Sequence, residues 1–435
     1  MREGAVFSVS LPTSAQTPHA AAWHVLRSGP FGRYMAGETI SMLGTWMQQM
    51  AQGWVVAGLT TSAFSLGLIN FCAGLPMLAL TMHGGAMADR HDKRLILIIT
   101  QVVQIILALA MGWLIATGQI AVWHVVIAGM LLGISTAFEM PAASALTPEL
   151  VDRSQLSAAI AVDRSLFHAT RLLGPAIGGW LIAWLGTASA FYANAASFLA
   201  LIAAILTLHP RPRGTEEEEA MRQTGMKDGF LYVRRDKPTL SMILLLTTLT
   251  TCISPFFMIT MPFYSRHVLH VDAQSHGFLI ASSGIGAFIG SIWLLTIPHD
   301  RRAFYLRLAA VDICACMFGL AIAQHLWQAI TAMIFLTLGT STMFGLANTI
   351  VQERAPDAIR GRISAIMGLS FFGVLPFSGL LVSKLADLVG LRVAMGGGGV
   401  LFGISAGFMI YSHRQLCMKQ PLAALEERDK PSEQL

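Results

Sequence analysis

The chain has 435 residues, of which 54% are hydrophobic and only 12% are charged. Soluble globular domains carry about 25% charged residues, so this composition excludes a soluble protein and predicts a polytopic membrane protein. The formal net charge of +5 comes mainly from cations between the apolar segments, as expected for loops that remain in the cytoplasm. It therefore gives no reason to expect a nucleic-acid partner.

The apolar segments divide the chain into two sets of six. Residues 1–33 form a polar tail without the pattern of a signal peptide. Residues 209–239 include the acidic run Glu216–Glu219 and predict a solvated linker with an amphipathic helix on the membrane surface. We therefore expect bundles over 34–208 and 240–412 and a second tail over 413–435. The twelve predicted spans are 34–59, 64–83, 95–117, 121–145, 156–184, 187–208, 240–264, 274–297, 303–324, 326–351, 362–386 and 391–412.

The loops differ in charge on the two sides of the predicted membrane. Three connections, at 60–62, 117–119 and 186–187, contain no cation. Cations in loops mark the cytoplasmic side, which predicts that both termini are cytoplasmic. The loop cations on that side are Arg90, Lys93, Arg94, Arg153, Arg301, Arg302, Arg354, Arg360 and Arg362.

The two sets of segments contain similar sequences. The stretch Gly133–Phe138 in segment 4 recurs as Gly339–Phe344 in segment 10. Two glycines of segment 2 have counterparts at the same spacing in segment 8. With twelve spans and a central linker, these matches predict an internal 6+6 repeat of the kind found in transporters.

The loop between segments 2 and 3 resembles a known motif. Its residues Gly85, Asp89, Arg90, Lys93 and Arg94 fit the pattern of the major facilitator superfamily at this place. Asp92 stands where that family usually has glycine. The resemblance implies an all-α membrane protein with twelve transmembrane helices, two six-helix halves and a pseudo-two-fold repeat.

Further stretches resemble the enterobactin-exporter and macrolide-efflux branch, the transmembrane secretion effector type. They include Ser41–Gln49, Phe138–Ala142 and Pro356–Arg362. In segment 5, Gly174, Pro175, Gly178 and Gly179 resemble the helix-5 motif of antiporters. Their small side chains and the proline allow a bend and close helix packing.

The resemblance and the loop charges predict a conformational lock at the cytoplasmic side. We expect Asp89 to approach the start of segment 11 near Arg362 when the cavity opens outward. We expect Lys93 or Arg94 to approach Glu139. The residues of the predicted lock are Gly85, Asp89, Arg90, Lys93, Arg94, Glu139 and Arg362.

Segment 1 carries a polar stripe that runs from Glu38 to Gln52 within an arc of about 100°. Such a stripe faces protein or water, so it predicts either hydrogen bonding between helices or an aqueous cavity. Segments 1, 4, 7 and 10 line the cavity in the resembling family. The predicted substrate-binding residues are Gln48, Gln52, Thr251, Ser254, Ser341, Phe344 and Asn348. Hydroxyl, amide and aromatic groups favour a bulky amphipathic substrate.

Segment 5 carries Arg164, His168 and Arg171 on one face. Ionisable residues within a membrane segment are functional candidates, and a structural arginine bonded to carbonyls of segments 1 or 8 is the alternative. Glu38 and Asp163 lie at similar depth, and we expect Glu38 to pair with Arg164. A pair that forms and breaks would couple transport to protons; a structural pair would not. The predicted coupling residues are Glu38, Asp163, Arg164, His168 and Arg171.

These features predict a proton-driven exporter of small amphipathic molecules of the drug or siderophore class, working by alternating access. An uptake carrier of the same fold and a lipid-handling flippase are the alternatives. The sequence has no phosphate loop, nucleophile motif or metal-ligand cluster, so we predict no enzyme activity, cofactor or metal. We expect a monomer in a bacterial-type inner (plasma) membrane, with small molecules, protons and lipid as partners.

Overall fold

The computed structural model describes residues 25–27, 29–208, 226–356 and 359–419. The predicted tails and the acidic part of the linker therefore lie largely or wholly outside the described residues. In the described ranges the chain is helical and contains no strand. The helices are α1 Gly29–Leu59, α2 Phe64–Arg90, α3 Lys93–Ala116, α4 Val122–Leu146, α5 Leu156–Leu185, α6 Ala188–Leu206, α7 Met226–Arg235, α8 Lys237–Cys252, α9 Ser254–Met258, α10 Met261–Phe263, α11 Ala273–Leu294, α12 Arg302–Ile322, α13 Leu326–Arg354, α14 Arg360–Gly368, α15 Leu375–Val389 and α16 Leu391–Lys419.

Nine helical stretches among the described residues are long and apolar enough to cross a membrane. Three predicted spans are not among them. The helices α1 and α5 are long, but the glutamines of α1 and the charges of α5 lower their apolar content. The seventh span is broken into α8, α9 and α10, followed by a π-helical turn over Tyr264–Val268. Polar side chains and chain breaks thus explain why these three differ from the other spans.

The first six helices pack into one bundle. Helix α1 lies against α5 and α6, α2 lies against α4, and α3 lies against α4 and α6. One apolar core of this bundle is centred on Phe31, Tyr34 and Leu201, all of which are at most 2% exposed. Close van der Waals packing of such large side chains holds membrane helices together.

The remaining long helices form a second bundle with a matching arrangement. Helix α11 packs on α13, α12 packs on α13 and α16, and α8 packs on α16. These pairs correspond in order to α2 with α4, α3 with α4 and α6, and α1 with α6. The repeated packing is what the internal sequence similarity predicts.

The short helix α7 joins the two bundles to one another along the chain. Tyr232 donates a hydrogen bond from its hydroxyl to the carbonyl of Arg354 at 2.6 Å. Asp236 follows α7, caps the first turn of α8 and forms an ion pair with Arg354 at 2.7 Å. The sequence predicted an amphipathic helix within the linker 209–239, and α7 lies in that range. Its contacts hold it on the second bundle.

The two bundles meet mainly through two helix pairs, α5 with α11 and α2 with α15, and α1 also contacts α10 and α11. We call the end of the molecule that carries the loop 90–93 the basic end, and the other the opposite end. The described contacts between the bundles lie from the middle of the helices toward the opposite end. At the basic end of α2, Met82 is 77% exposed. A Cβ added to Gly85 would meet no atom within 4 Å. The space between the bundles therefore opens toward the basic end.

Candidate functional site

Three carboxylates from three helices form a cluster near the basic end of the first bundle. Glu38 of α1 interacts electrostatically with Glu139 of α4 and Asp163 of α5. Tyr34, one helical turn before Glu38, is buried and interacts with the same three groups. None of the ion pairs found among the described residues includes any of these carboxylates. We call these four residues the carboxylate cluster.

Glu139 is held in the cluster by two buried glutamines of α3. Its two carboxylate oxygens accept hydrogen bonds from Nε2 of Gln101 at 2.6 Å and Nε2 of Gln104 at 2.5 Å. The sequence predicted that Lys93 or Arg94 would approach Glu139. In the described conformation Lys93 pairs with Glu149, and Arg94 bonds to Asp92 and to the carbonyl of Leu208. The carboxylate of Glu139 on α4 therefore faces the amides of α3.

The expected pair between Glu38 and Arg164 does not form in this structure. The groups that act on Glu38 are Glu139 and Asp163, whereas Arg164 acts on its neighbour Asp163. At about 100° per residue, successive residues of α5 point in different directions. Asp163 lies toward α1, and Arg164 is exposed on a different face.

That face of α5 carries three basic side chains, Arg164, His168 and Arg171, which we call the basic stripe. His168 interacts electrostatically with both arginines. The guanidinium of Arg171 lies 5.8 Å from the ring centroid of Trp46 in α1. The ring of Phe167 meets Trp46 edge-on at 5.7 Å. The deepest charge of the stripe thus lies beside an aromatic surface.

The helix-5 motif explains how α5 fits between the two bundles. A Cβ on Gly174 would lie 2.5 Å from Cβ of Trp46, and one on Gly178 would lie 3.1 Å from Cα of Met47. On another side, a Cβ on Gly179 would lie 2.9 Å from the carbonyl of Ala273 in α11. Only small residues allow these approaches. Pro175 lies at the same junction, where its carbonyl faces Gly277.

The predicted substrate-binding residues divide into buried and open positions. Gln48 is 6% exposed and accepts a hydrogen bond from Asn194 of α6 at 2.8 Å. Ser254 is 2% exposed and donates to the carbonyl of Leu249. For these two, helix packing replaces the predicted cavity role in this structure. Gln52 and Thr251 are half-buried.

In the second bundle the predicted positions on α13 are more open. Asn348 is exposed, and Phe344 is 38% exposed with its ring 5.9 Å from that of Phe371. Ser341 is half-buried and donates a hydrogen bond to the carbonyl of Ala287 in α11 at 3.0 Å. An amide and an aromatic ring on α13 therefore remain available at the surface.

An aromatic and histidine contact joins the bundles at the opposite end. The ring of Trp54 in α1 stacks on His276 of α11 with centroids 5.5 Å apart. The guanidinium of Arg266 lies 4.9 Å from the ring centroid of Trp54. His276 is fully buried and bonds through Nδ1 to the hydroxyl of Ser265 at 2.8 Å. Nε2 of His267 bonds to the carbonyl of Ala57 at 2.7 Å. We call this group the outer contact.

A second link at the opposite end was not found from the sequence. Asp387 near the end of α15 accepts hydrogen bonds from the backbone N–H groups of Ala63 at 2.7 Å and Phe64 at 3.2 Å, and from the hydroxyl of Ser62. These groups form the start of α2, where unpaired N–H groups favour a negative charge. A carboxylate of the second bundle thus caps a helix of the first.

The basic loop is fixed by local contacts within the first bundle. Asp92 caps α3 by accepting from the N–H of Arg94 at 2.9 Å, at φ −60°. Glycine is therefore not required where the family pattern has it. The side chain of Arg94 holds the pKa of Asp92 below its usual range. Arg94 also donates to the carbonyl of Leu208, and Lys93 pairs with Glu149 at 2.7 Å.

The other predicted lock residues lie at the same end. Asp89 and Arg90 are exposed at the end of α2, and Arg362 in the first turn of α14 packs against Gly229 of α7. Within the first bundle, α2 approaches α4 closely at Gly84. A Cβ added there would lie 2.1 Å from the carbonyl oxygen of Ala137.

The comparison with known families decides the identity of this architecture. The sequence profile of the transmembrane secretion effectors matches residues 20–433. The chain belongs to this family of the major facilitator superfamily. It is accordingly a membrane-embedded transporter and not an enzyme.

Several transporters resemble this chain over most of their length. It is 25% identical to a staphyloferrin A transporter of Staphylococcus aureus over 82% of this chain and 90% of that protein. It is 22% identical to macrolide efflux protein A of Streptococcus pyogenes, over 82% and 89%. A bacterial homologue of the human lysosomal transporter Spinster, solved in an inward-facing and unoccupied conformation, superposes with a TM-score of 0.70 at 14% identity and covers 92% of this chain and 98% of that one.

Helix α5 therefore carries two differently charged surfaces. The carboxylate cluster lies where α5 meets α1, and the basic stripe lies on the adjacent face. Carboxylates exchange protons, and guanidinium groups bind anions through paired hydrogen bonds. These are the chemical capacities that a transport mechanism would use.

Proposed function

We propose that this protein is a proton-driven exporter of small amphipathic molecules that works by alternating access. Family membership and relatives named for efflux support transport out of the cell. In this proposal α1, α5 and the broken seventh span also cross the membrane, which gives twelve spans together with the nine apolar ones. The twelve spans form two six-helix halves over 34–208 and 240–412. The protein acts as a monomer in a bacterial-type inner membrane.

The orientation follows from the loop charges. Cations of short loops remain in the cytoplasm, so the basic end faces inward and both termini are cytoplasmic. The described conformation is then inward-facing, with the outer contact and the Asp387 cap closed. The inward-facing homologue that superposes on the chain supports this assignment.

The carboxylate cluster is the observation that carries the coupling proposal. Three carboxylates near one another repel, and binding one proton relieves the repulsion. No ion pair among the described residues neutralises them. Glu38, Asp163 and Glu139 thus form the proton site. We therefore assign Glu139 to the proton site and not to the lock, because its carboxylate bonds to Gln101 and Gln104.

The remaining lock residues act in the opposite conformation. When the halves rock and the basic end closes, Asp89 approaches the start of α14 near Arg362. The negative carboxylate and the positive start of a helix attract each other. Asp387 provides the same interaction at the other end in the inward-facing state. The two aspartates therefore stabilise alternate conformations.

The test uses purified protein in vesicles with an acidic lumen. Molecules whose cytoplasmic face is on the outside of the vesicle then transport substrate into the lumen. A panel of amphipathic dyes with positive, neutral and negative charge is added outside. We expect at least one compound to accumulate only while the pH gradient exists. Accumulation that ignores the gradient, accumulation driven only by the reversed gradient, or no transport of any compound contradicts proton-driven export.

The coupling site is tested with Glu38→Gln, Asp163→Asn and Glu139→Gln, and Asp300→Asn serves as the control. Asp300 is exposed and lies outside the cluster. We expect at least one of the cluster variants to lose gradient-driven accumulation while it still exchanges substrate downhill. Full accumulation in all three variants places the proton site elsewhere.

A further inference from the structure

The basic stripe on α5 is a charged feature that the proton site does not use. Its members lie at offsets of 0, 4 and 7 residues, so the side chains point to one side of the helix. They are Arg164, His168 and Arg171. Charged groups inside a membrane protein persist when they serve transport or when they are paired.

The packing of α5 determines where the stripe points. Thr170, Gly174 and Gly178 contact α1 on one side of α5. On the other side, Leu172 and Gly179 contact α11. At about 100° per residue, the stripe lies between these two contact surfaces. It therefore faces the space between the two bundles, where that space opens toward the basic end.

Among the described residues, the charges of the stripe have no anionic partner on another helix. No ion pair or hydrogen bond described for this structure involves the guanidinium of Arg164 or Arg171. Trp46 is the contact that the structure gives for Arg171. The sequence alternative, an arginine bonded to carbonyls of α1 or α11, has no such bond to support it in the described residues. A desolvated cation without a partner is costly, and a bound anion compensates it.

The neighbours of Arg171 add a second requirement. Trp46 and Phe167 form an edge-to-face pair beside the guanidinium. Such rings bind flat or apolar groups, and a carboxylate is recognised by guanidinium through two parallel hydrogen bonds. Asp163, the carboxylate of the cluster on the same helix, precedes Arg171 by about two turns and lies closer to the basic end.

We infer that the basic stripe is the substrate site for small organic anions, with Arg171 binding a carboxylate and Trp46 and Phe167 binding the flat apolar part. This inference rests on the proposed function and names the substrate class. It reassigns Arg164, His168 and Arg171 from proton coupling to substrate binding. Closure of the empty basic end would desolvate the two guanidinium cations together, whereas a bound anion compensates their charge. Substrate binding thus favours the switch.

The inference is tested with two probes that differ in one group. Dansylglycine carries a carboxylate, and dansylglycinamide carries a neutral amide in its place. Binding to the purified protein is measured by dansyl fluorescence in a neutral detergent. We expect the carboxylate to bind at least about tenfold more tightly, the size expected for one charge-assisted contact. Equal binding of the two probes, or binding of neither, overturns the inference.

Variants identify the residue that gives this preference. Arg171→Gln should bind dansylglycine about tenfold or more weakly and dansylglycinamide nearly as before. Arg171→Lys retains the charge and should keep part of the preference. Arg307→Gln removes an exposed arginine of α12 that bonds to its own helix, and should change neither affinity. A uniform loss of both probes in Arg171→Gln, with unchanged gel-filtration behaviour, points to a structural role and overturns the inference.

Two further arms separate the sources and the hypotheses. Phosphatidylglycerol that displaces dansylglycine more strongly than phosphatidylcholine does would make an anionic lipid the occupant and overturn the inference. Gradient-driven export without preference for anions leaves the proposed function intact and overturns the substrate class. Carboxylate-selective binding without gradient-driven transport supports the substrate class and contradicts the proposed function.

Discussion

Removal of the Asp387 carboxylate should shift the protein away from the inward-facing state. This side chain accepts two backbone hydrogen bonds, at 2.7 and 3.2 Å from Ala63 and Phe64, and a third from the Ser62 hydroxyl. All three donors belong to the other bundle. The bonds break when the bundles separate at the opposite end, so they stabilise only the conformation described here.

The expected size of the effect follows from charge and exposure. A hydrogen bond to a charged group contributes about 1.5–3 kcal/mol when it is buried. Asp387 is exposed, and solvent screening reduces the contribution of such groups. The interaction with a helix N-terminus contributes about 0.3–1 kcal/mol at exposed sites. We therefore expect Asp387→Ala to lower the inward-facing population relative to the outward-facing one by about 1 kcal/mol, or roughly fivefold.

Distances between spin labels measure this shift directly. Cysteines at Gln119 and Gln324, exposed positions of the two bundles at the opposite end, are labelled in a background without the native cysteines. Asp387→Ala should increase the fraction of long distances, and Ser62→Ala should increase it less. Asp300→Ala at the basic end is the control. Unchanged distances in Asp387→Ala would refute the capping argument.

Three further variants test other contacts. Gly277→Val should weaken closure at the opposite end and lower transport, because its Cβ would lie 2.5 Å from a carbonyl of α5; Gly397→Ala, whose Cβ meets no atom within 4 Å, should be silent in the same assays. Gln104→Leu should change the pH profile of transport, since Glu139 loses a donor at 2.5 Å, and an unchanged profile would argue against a role in coupling. Asp89→Asn should reduce the long-distance population and transport without reducing expression, and full transport would argue strongly against the lock.

The helical fold was predictable because hydrophobic composition and segment length together indicate membrane-spanning helices. The spans that depart from the apolar pattern are those that carry Glu38 and the α5 charges, or that contain chain breaks. Function places polar groups in these helices, so hydropathy alone identifies them poorly. The similarity to a known motif compensated for this weakness.

The partners of individual charges were not predictable to the same degree. The Glu139 contacts with Gln101 and Gln104 depend on the rotation of α4 against α3. Sequence depth indicates which charges lie at one level, but not which faces meet. Asp387 was missed for a related reason, because its donors lie more than 320 residues away in the chain.

The most direct test of the account is proton movement driven by substrate. Vesicles that contain the purified protein and a pH indicator in the lumen receive an exported panel compound without an imposed gradient. We predict that the lumen pH rises with transport in the unaltered protein, as protons leave in exchange. In Glu38→Gln combined with Asp163→Asn, substrate should still exchange while the pH stays constant. Unaltered proton movement in that variant, or transport without proton movement in the unaltered protein, would contradict the account.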